Sequence, residues 1–179
     1  MTDDKRARLA KLTDKQIASN IAAYRQRGLT TGGPFTLAEL LMEQKRRMPA
    51  AFPHVEVARR IVQGAKVSPD GRITYLDLWN HFVPGKEWKA NASIKQVGNS
   101  LGHVIEYCVR LCLPILTVLV VQSGSRKLAP EAIANIYNEC RDLGVDVGAD
   151  AAAFIRREEE KALAFLAADL PDDDAELAA

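Results

Sequence analysis

The stretch GRITYLDLW (71–79) follows a Ser-Pro-Asp-Gly turn and combines the signals of two kinds of secondary structure. Its first part, Arg72-Ile73-Thr74, predicts a short strand because β-branched side chains favour extended backbone. Thr74 can then accept hydrogen bonds from unpaired amides and begin a helix over residues 75–82. The Pro84-Gly85 pair ends that helix, since neither residue continues a helix well. The stretch therefore predicts a strand that passes directly into a short helix.

A second stretch, SIKQVGNSLG (93–102), predicts a longer helix. The order Ser-Ile-Lys-Gln has the form of a capping box, in which Ser93 and Gln96 satisfy amides at the start of a helix. Apolar residues then recur at helical spacing until Pro114, which stops the pattern. The nearly continuous apolar segment over 115–121 predicts a buried strand. Together these segments predict an α+β core at the centre of the chain.

Helices are predicted on both sides of this centre. Capping boxes at Thr13 and Thr36 begin two of them, and Pro130 stands at the first-turn position of another. The length of 179 residues fits one domain, so we expect residues 13–170 to form a single globular domain, mostly helical, with two or three short strands. The predicted organisation is a flexible N-terminus over 1–12, N-terminal helices over 13–53, a core over 54–145, a C-terminal helix over 146–170 and a disordered acidic tail over 171–179.

Charge is distributed unevenly along the chain, although the net charge is only +1. Residues 1–72 carry 14 Lys and Arg against 7 Asp and Glu, a balance of +7, whereas residues 146–179 carry 3 against 10, a balance of −7. The basic first part can attract a polyanion, and the acidic end can repel one or shield the basic part. Alternatively, both regions are ordinary solvated surface.

The longest apolar run, LCLPILTVLVV (111–121), is too short to span a bilayer and contains a proline. The chain does not open with the basic and then apolar pattern of a secretory signal. We therefore expect a cytoplasmic protein that makes no contact with a membrane.

The three cysteines are an odd number, which favours reduced and buried thiols over a disulfide framework. Cys108 and Cys112 fall one turn apart on the apolar face of the predicted long helix, so we expect both to pack in the core rather than bind zinc. The Gly-Gly-Pro sequence at Gly32 predicts a turn, and the chain contains no glycine loop of a nucleotide-binding kind. No cofactor is expected.

The order of the central elements resembles the C-terminal DNA-binding domain of the alkylguanine–DNA alkyltransferases and the alkyltransferase-like proteins. Their pattern runs Gly-x-Val-x-(Ser/Thr)-Tyr, a helix, Ala-Arg-x-Val-Gly-x-Ala-(Leu/Met) and then Pro-Cys-His-Arg-Val. The matching segments are Gly71–Tyr75, Ile94–Leu101 and Pro114–Val118, and the resemblance extends over residues 55–165 if the glutamates at 158–160 match the family's closing helix. It implies a winged-helix-like core, in which one helix crosses the DNA backbone and the next enters a groove.

The resemblance also implies roles for individual residues. Tyr75 would contact the phosphate side of a nucleotide, and Lys95 would stand where the family has a finger arginine. The small Gly98 would let the groove-binding helix approach a neighbouring helix closely. With the nearby polar and basic residues added, the predicted nucleic-acid-binding residues are Tyr75, Lys86, Lys89, Lys95, Asn99, Arg126 and Lys127.

The chain departs from the family at the reactive block, where Pro-Ile-Leu-Thr (114–117) replaces Pro-Cys-His-Arg. Alkyl transfer needs an activated thiolate, and this block has neither the cysteine nor the histidine that activates it. The sequence therefore predicts a non-enzymatic protein whose partner is DNA. The alternative is a protein-interaction module or inhibitor that binds another protein, with Trp88 as its anchor.

Overall fold

The computed structural model describes residues 2–166 and 170–171, most of which are helical. In chain order its elements are α1 (Asp3–Ala10), α2 (Asp14–Arg27), α3 (Leu37–Arg47), α4 (His54–Val67), β1 (Ile73–Thr74), α5 (Tyr75–Phe82), α6 (Ala90–Arg110), a 3-10 helix (Leu116–Leu119), β2 (Val120–Val121), α7 (Pro130–Asp142) and α8 (Ala151–Phe165). The predicted fold class, α+β and mostly helical with short strands, is confirmed. Among the described residues, none of the helices combines the length and the apolar composition that crossing a bilayer requires.

These elements are divided between two compact units. The sequence predicts one domain over residues 13–170. Unit 1 comprises residues 2–49 together with 141–146, and unit 2 comprises residues 50–140 together with the described residues from 147 onward. The boundary falls directly after Pro49. Proline ends a helix whether or not the next element belongs to the same unit, so the sequence pattern does not reveal this boundary.

In unit 1, two capping boxes form as predicted. The Thr13 hydroxyl accepts a hydrogen bond from the Gln16 amide at 3.2 Å, and the Thr13 amide donates to the Gln16 side chain at 2.8 Å. Thr36 and Glu39 make the equivalent pair at the start of α3. Gly28 ends α2 with φ +63°, the left-handed conformation that glycine adopts without strain.

The N-terminal segment over 1–12, predicted to be flexible, contains a helix from Asp3 to Ala10. Leu9 is buried, and the Lys5 ammonium lies 2.7 Å from a Glu39 carboxylate oxygen on α3. The Arg47 guanidinium donates to the Leu12 carbonyl at 2.6 Å. One buried leucine and these polar contacts stabilise α1 although its sequence is mostly polar.

In unit 2, the two strands form a parallel pair with Ile73 opposite Val120 and Thr74 opposite Val121. α4 packs against α6 and the 3-10 helix. The approach of α4 to β1 is close, because a Cβ atom built on Gly64 would lie 2.4 Å from Cδ1 of Ile73. A glycine is therefore needed at this position of α4.

The predicted strand over 115–121 is only partly correct. The segment folds as a 3-10 helix over Leu116–Leu119, and only Val120–Val121 is a strand. Every residue from 115 to 121 is buried. Periodicity cannot distinguish a buried strand from a buried helical turn when every residue is buried and all but Thr117 are apolar.

Helix α6 begins earlier than predicted. Its N-cap is Lys89, so Ser93 lies inside the first turns instead of at the cap. The buried Ser93 hydroxyl accepts a hydrogen bond from the Lys89 amide at 3.0 Å, which fixes the start of the helix from within.

The last helix, predicted within 146–170, is α8, and the Asp150 side chain caps it by accepting from the amides of Ala152 and Ala153. The acidic tail predicted to be disordered over 171–179 lies outside the described residues, apart from Pro171.

Candidate nucleic-acid interface

The turn between α5 and α6 is fixed by aromatic packing in unit 2. The buried Trp79 indole donates to the Lys86 carbonyl at 3.2 Å, and the Trp88 ring meets Trp79 edge-on at 6.0 Å between centroids. Phe52 and Phe82 stack at 4.9 Å beside them. The backbone of this turn and the rings of Trp79 and Trp88 are therefore held in place.

Three exposed lysines surround the N-terminal end of α6 and are called here the lysine set: Lys86, Lys89 and Lys95. No side chain caps the helix at Lys89, and its first turn contains no acidic residue. Residues 86–99 carry these three lysines against Glu87 alone, a balance of +2. The partial positive charge of a helix N-terminus adds to this potential.

Gly98 lies one turn beyond Lys95 and is exposed. A Cβ atom built on it would meet nothing within 4 Å, so the predicted close approach to a neighbouring helix is wrong. The close contact in unit 2 is instead made by Gly64 of α4 with Ile73 of β1. Gly98 leaves the outer face of α6 flat beside Lys95.

Asn99 has a structural role. Its side-chain oxygen accepts from the Ala51 amide at 2.9 Å, and the neighbouring Ser100 hydroxyl accepts from the Phe52 amide at 2.8 Å. These bonds tie the segment before α4 to α6. The side-chain carbonyl oxygen of Asn99 therefore already has a hydrogen-bond partner within the protein.

Arg126 is also committed to the fold. Its guanidinium makes a forked ion pair with Asp70 and donates to the Arg72 carbonyl and the Ser68 hydroxyl, each at 2.9 Å. Hydrogen bonds from Arg126 and Ser68 hold the pKa of Asp70 well below its ordinary value. Lys127, the next residue, is exposed.

Tyr75 begins α5 and is half-buried, and burial raises the pKa of its phenol. Asp77, in the same first turn, is close enough to Arg126 to interact electrostatically. Tyr75 thus begins α5, and Arg126 lies near that same end, whereas Lys86 and Lys89 follow the other end of the helix. With eight residues, α5 is about 12 Å long.

Two cysteines precede the segment that replaces the reactive block, and they differ in exposure: Cys108 is buried and Cys112 is exposed. Burial raises the pKa of the Cys108 thiol to about 12, so the thiol stays protonated. Cys112, expected in the core, is exposed, with φ +53° directly after α6. The helix ends at Arg110, two residues before Cys112, and this change of backbone direction turns the Cys112 side chain off the apolar face.

Glu158 is a buried carboxylate that the sequence did not single out for its contacts. One oxygen accepts from the Ile115 amide at 3.3 Å and the other from the Lys161 ammonium at 2.7 Å. Ile115 and Glu158 are 43 residues apart, so no local pattern indicates this bond. Within the described ranges, no group of three or more His, Cys, Asp or Glu side chains is placed to hold a metal ion.

Comparisons of the chain with protein-family models, curated proteins and solved structures found no match.

Proposed function

We propose that unit 2 binds nucleic acid, with the lysine set contacting phosphates at the N-terminal end of α6. The observation that carries this proposal is the exposure of all three lysines around an uncapped helix N-terminus without acidic residues. Phosphate oxygens are favoured there by lysine charge, by the helix dipole and by unpaired amides. Release of counterions from nucleic acid supplies further binding free energy.

A winged-helix-like scaffold is part of the same proposal. A short helix, a turn and a longer helix follow one another in α5 and α6, as in a helix-turn-helix. Lys95 and the exposed Gly98 lie on the outer face of α6, where a small residue allows a groove to approach closely. Tyr75 and Lys127 would contact the backbone beyond the other end of α5. Arg126 and Asn99 would act indirectly, by holding loops in place.

The proposed function is binding without catalysis, in the cytoplasm. The segment Pro114–Thr117 has neither the cysteine nor the histidine of the reactive block that it resembles, which supports the first point. Cys108 and Cys112 are thiols and not disulfide partners, which suits a reducing compartment.

The test is a salt titration of binding to a fluorescently labelled DNA duplex, followed by anisotropy. The three phosphate contacts of the lysine set predict a contribution of about −2.7 to the slope of log K against log salt. Replacing the lysine set with alanine should abolish most of that contribution, whereas Lys66→Ala, an exposed lysine on α4, should leave it unchanged. Absence of binding at low salt, or equal effects of the two changes, would refute the proposal.

A second candidate function is binding of a protein partner through Trp88. Ile94, in the first turns of α6, is 48% exposed and offers an apolar side chain to a partner. Capture of a partner from nuclease-treated lysate that depends on both Trp88 and Ile94 would favour this function. Loss of the captured material on nuclease treatment would favour nucleic acid.

A further inference from the structure

A cavity of about 220 Å³ lies in unit 1, between the last turns of α2 and the loop that leads to α3. Asn20, Ala23, Tyr24 and Arg27 line it from α2. These residues are three or four positions apart and therefore share one face of the helix. The cavity follows that face, with a polar residue near each end.

The loop side of the cavity is apolar and held in place. Phe35 and Leu40 line it and are 6% and 1% exposed. The Tyr24 hydroxyl donates a hydrogen bond to the Phe35 carbonyl, which fastens the loop to α2. A Cβ atom on Gly33 would lie 2.5 Å from the Tyr24 hydroxyl oxygen, so this wall requires a glycine.

Four exposed residues that line the cavity carry unpaired donors. Among the described residues, neither the Arg27 guanidinium nor the backbone amides of Thr31, Gly32 and Gly33 take part in a hydrogen bond or ion pair. Gly32 has φ +109°, a conformation that side chains disfavour. Successive amides in a glycine turn, together with a guanidinium, form a site that favours an anion.

We propose that this cavity binds a small organic monocarboxylate with an apolar body. Arg27 and the Gly32–Gly33 amides hold the carboxylate, while the apolar body packs against Ala23 and Phe35. A single arginine and a largely apolar lining suit one negative charge better than a phosphate dianion. The volume is below the range of about 300–1,000 Å³ usual for drug-sized ligands, which restricts the site to small acids. The site lies in unit 1, and its proposed role does not rest on nucleic-acid binding by unit 2.

The experiment is an NMR titration of the ¹⁵N-labelled full chain with 3-phenylpropionate. Acetate supplies the charge without the apolar body, and 3-phenylpropanamide supplies the body without the charge. We expect saturable shifts of the Gly32 and Gly33 amides, with both comparison ligands binding at least about tenfold more weakly, because each loses one class of contact. Equal binding of the amide, or saturable shifts elsewhere only, overturns the proposal.

Two variants separate charge from volume. Arg27→Gln should weaken 3-phenylpropionate about tenfold, whereas Arg8→Gln, at an exposed arginine of α1, should have no effect. Ala23→Leu fills the cavity while keeping a residue that favours helix, and should abolish binding of 3-phenylpropionate. Unchanged affinity in either Arg27→Gln or a folded Ala23→Leu protein, as judged by its amide spectrum, contradicts the proposal.

Discussion

Two glycines in helices of unit 2 are predicted to respond in opposite ways to the same substitution. Alanine favours a helix over glycine by about 1 kcal/mol, so Gly→Ala stabilises a helix when the added methyl group has space. At Gly98 nothing lies within 4 Å of the new Cβ atom. Gly98→Ala should therefore raise the free energy of unfolding by about 0.5–1 kcal/mol.

At Gly64 the added methyl group meets a side chain that cannot move easily. The new Cβ atom would lie 2.4 Å from Cδ1, 3.0 Å from Cγ1 and 3.2 Å from Cβ of Ile73. Ile73 is 2% exposed and its backbone belongs to β1. Overpacking of this kind costs about 1–3 kcal/mol, which outweighs the gain in helix propensity. Gly64→Ala should lower the free energy of unfolding by roughly 1 kcal/mol net.

Urea unfolding followed by tryptophan fluorescence measures both changes. The chain has two tryptophans, Trp79 and Trp88, and both lie in unit 2, so the signal reports the unit that carries the glycines. Ile73→Val removes the Cδ1 atom and should cost about 0.5–1.5 kcal/mol in the native chain but less in the Gly64→Ala background. If Gly64→Ala stabilises as much as Gly98→Ala, the close contact of α4 with β1 is wrong.

Two further predictions concern titrating groups in unit 2. The pKa of Asp70 is lowered in the folded chain, so the pair with Arg126 contributes stability above the unfolded carboxyl pKa and loses it as pH falls through the folded pKa. At neutral pH, the free energy of unfolding measured in urea should be about 1 kcal/mol higher for the wild type than for Asp70→Asn. This difference should shrink below about pH 4. A difference that stays constant with pH would contradict the role of the Asp70–Arg126 pair. Iodoacetamide at about pH 8 should modify Cys112 rapidly and Cys108 only in denaturant, as seen by peptide mass spectrometry. Early modification of Cys108 would contradict its burial.

The parts of the fold that sequence predicted are those set by neighbouring residues. Thr13 and Thr36 each lie three residues from their capping partners, and the structure forms both boxes. Ser93 shows the limit of the same signal, because its spacing fits a capping box while the helix begins before it. A local pattern indicates which hydrogen bonds are possible. In the longer helix, the Ser93 hydroxyl accepts from the Lys89 amide instead of capping the helix.

The candidate site was less predictable because long-range contacts decide which charged groups stay exposed. Arg126 and Lys127 are adjacent basic residues in the sequence, yet Arg126 forms an ion pair with Asp70, which is 56 residues away. Asn99 is likewise bonded to Ala51, 48 residues away. Neither spacing leaves a pattern in one sequence, so the division between structural and exposed side chains emerges only from the structure.

The same division makes the proposed function separable from stability. The lysine set is exposed, and the turn that carries it is held by the rings of Trp79 and Trp88 and by a bond to the Lys86 backbone, not to its side chain. Loss of the three ammonium groups should therefore change affinity for nucleic acid while the free energy of unfolding stays within about 0.5 kcal/mol. Asn99→Ala should do the reverse and cost about 1 kcal/mol, because it leaves the Ala51 amide unpaired. A loss of stability in the lysine variant comparable to that in Asn99→Ala would show that the lysines support the fold, and the binding role would lose its structural basis.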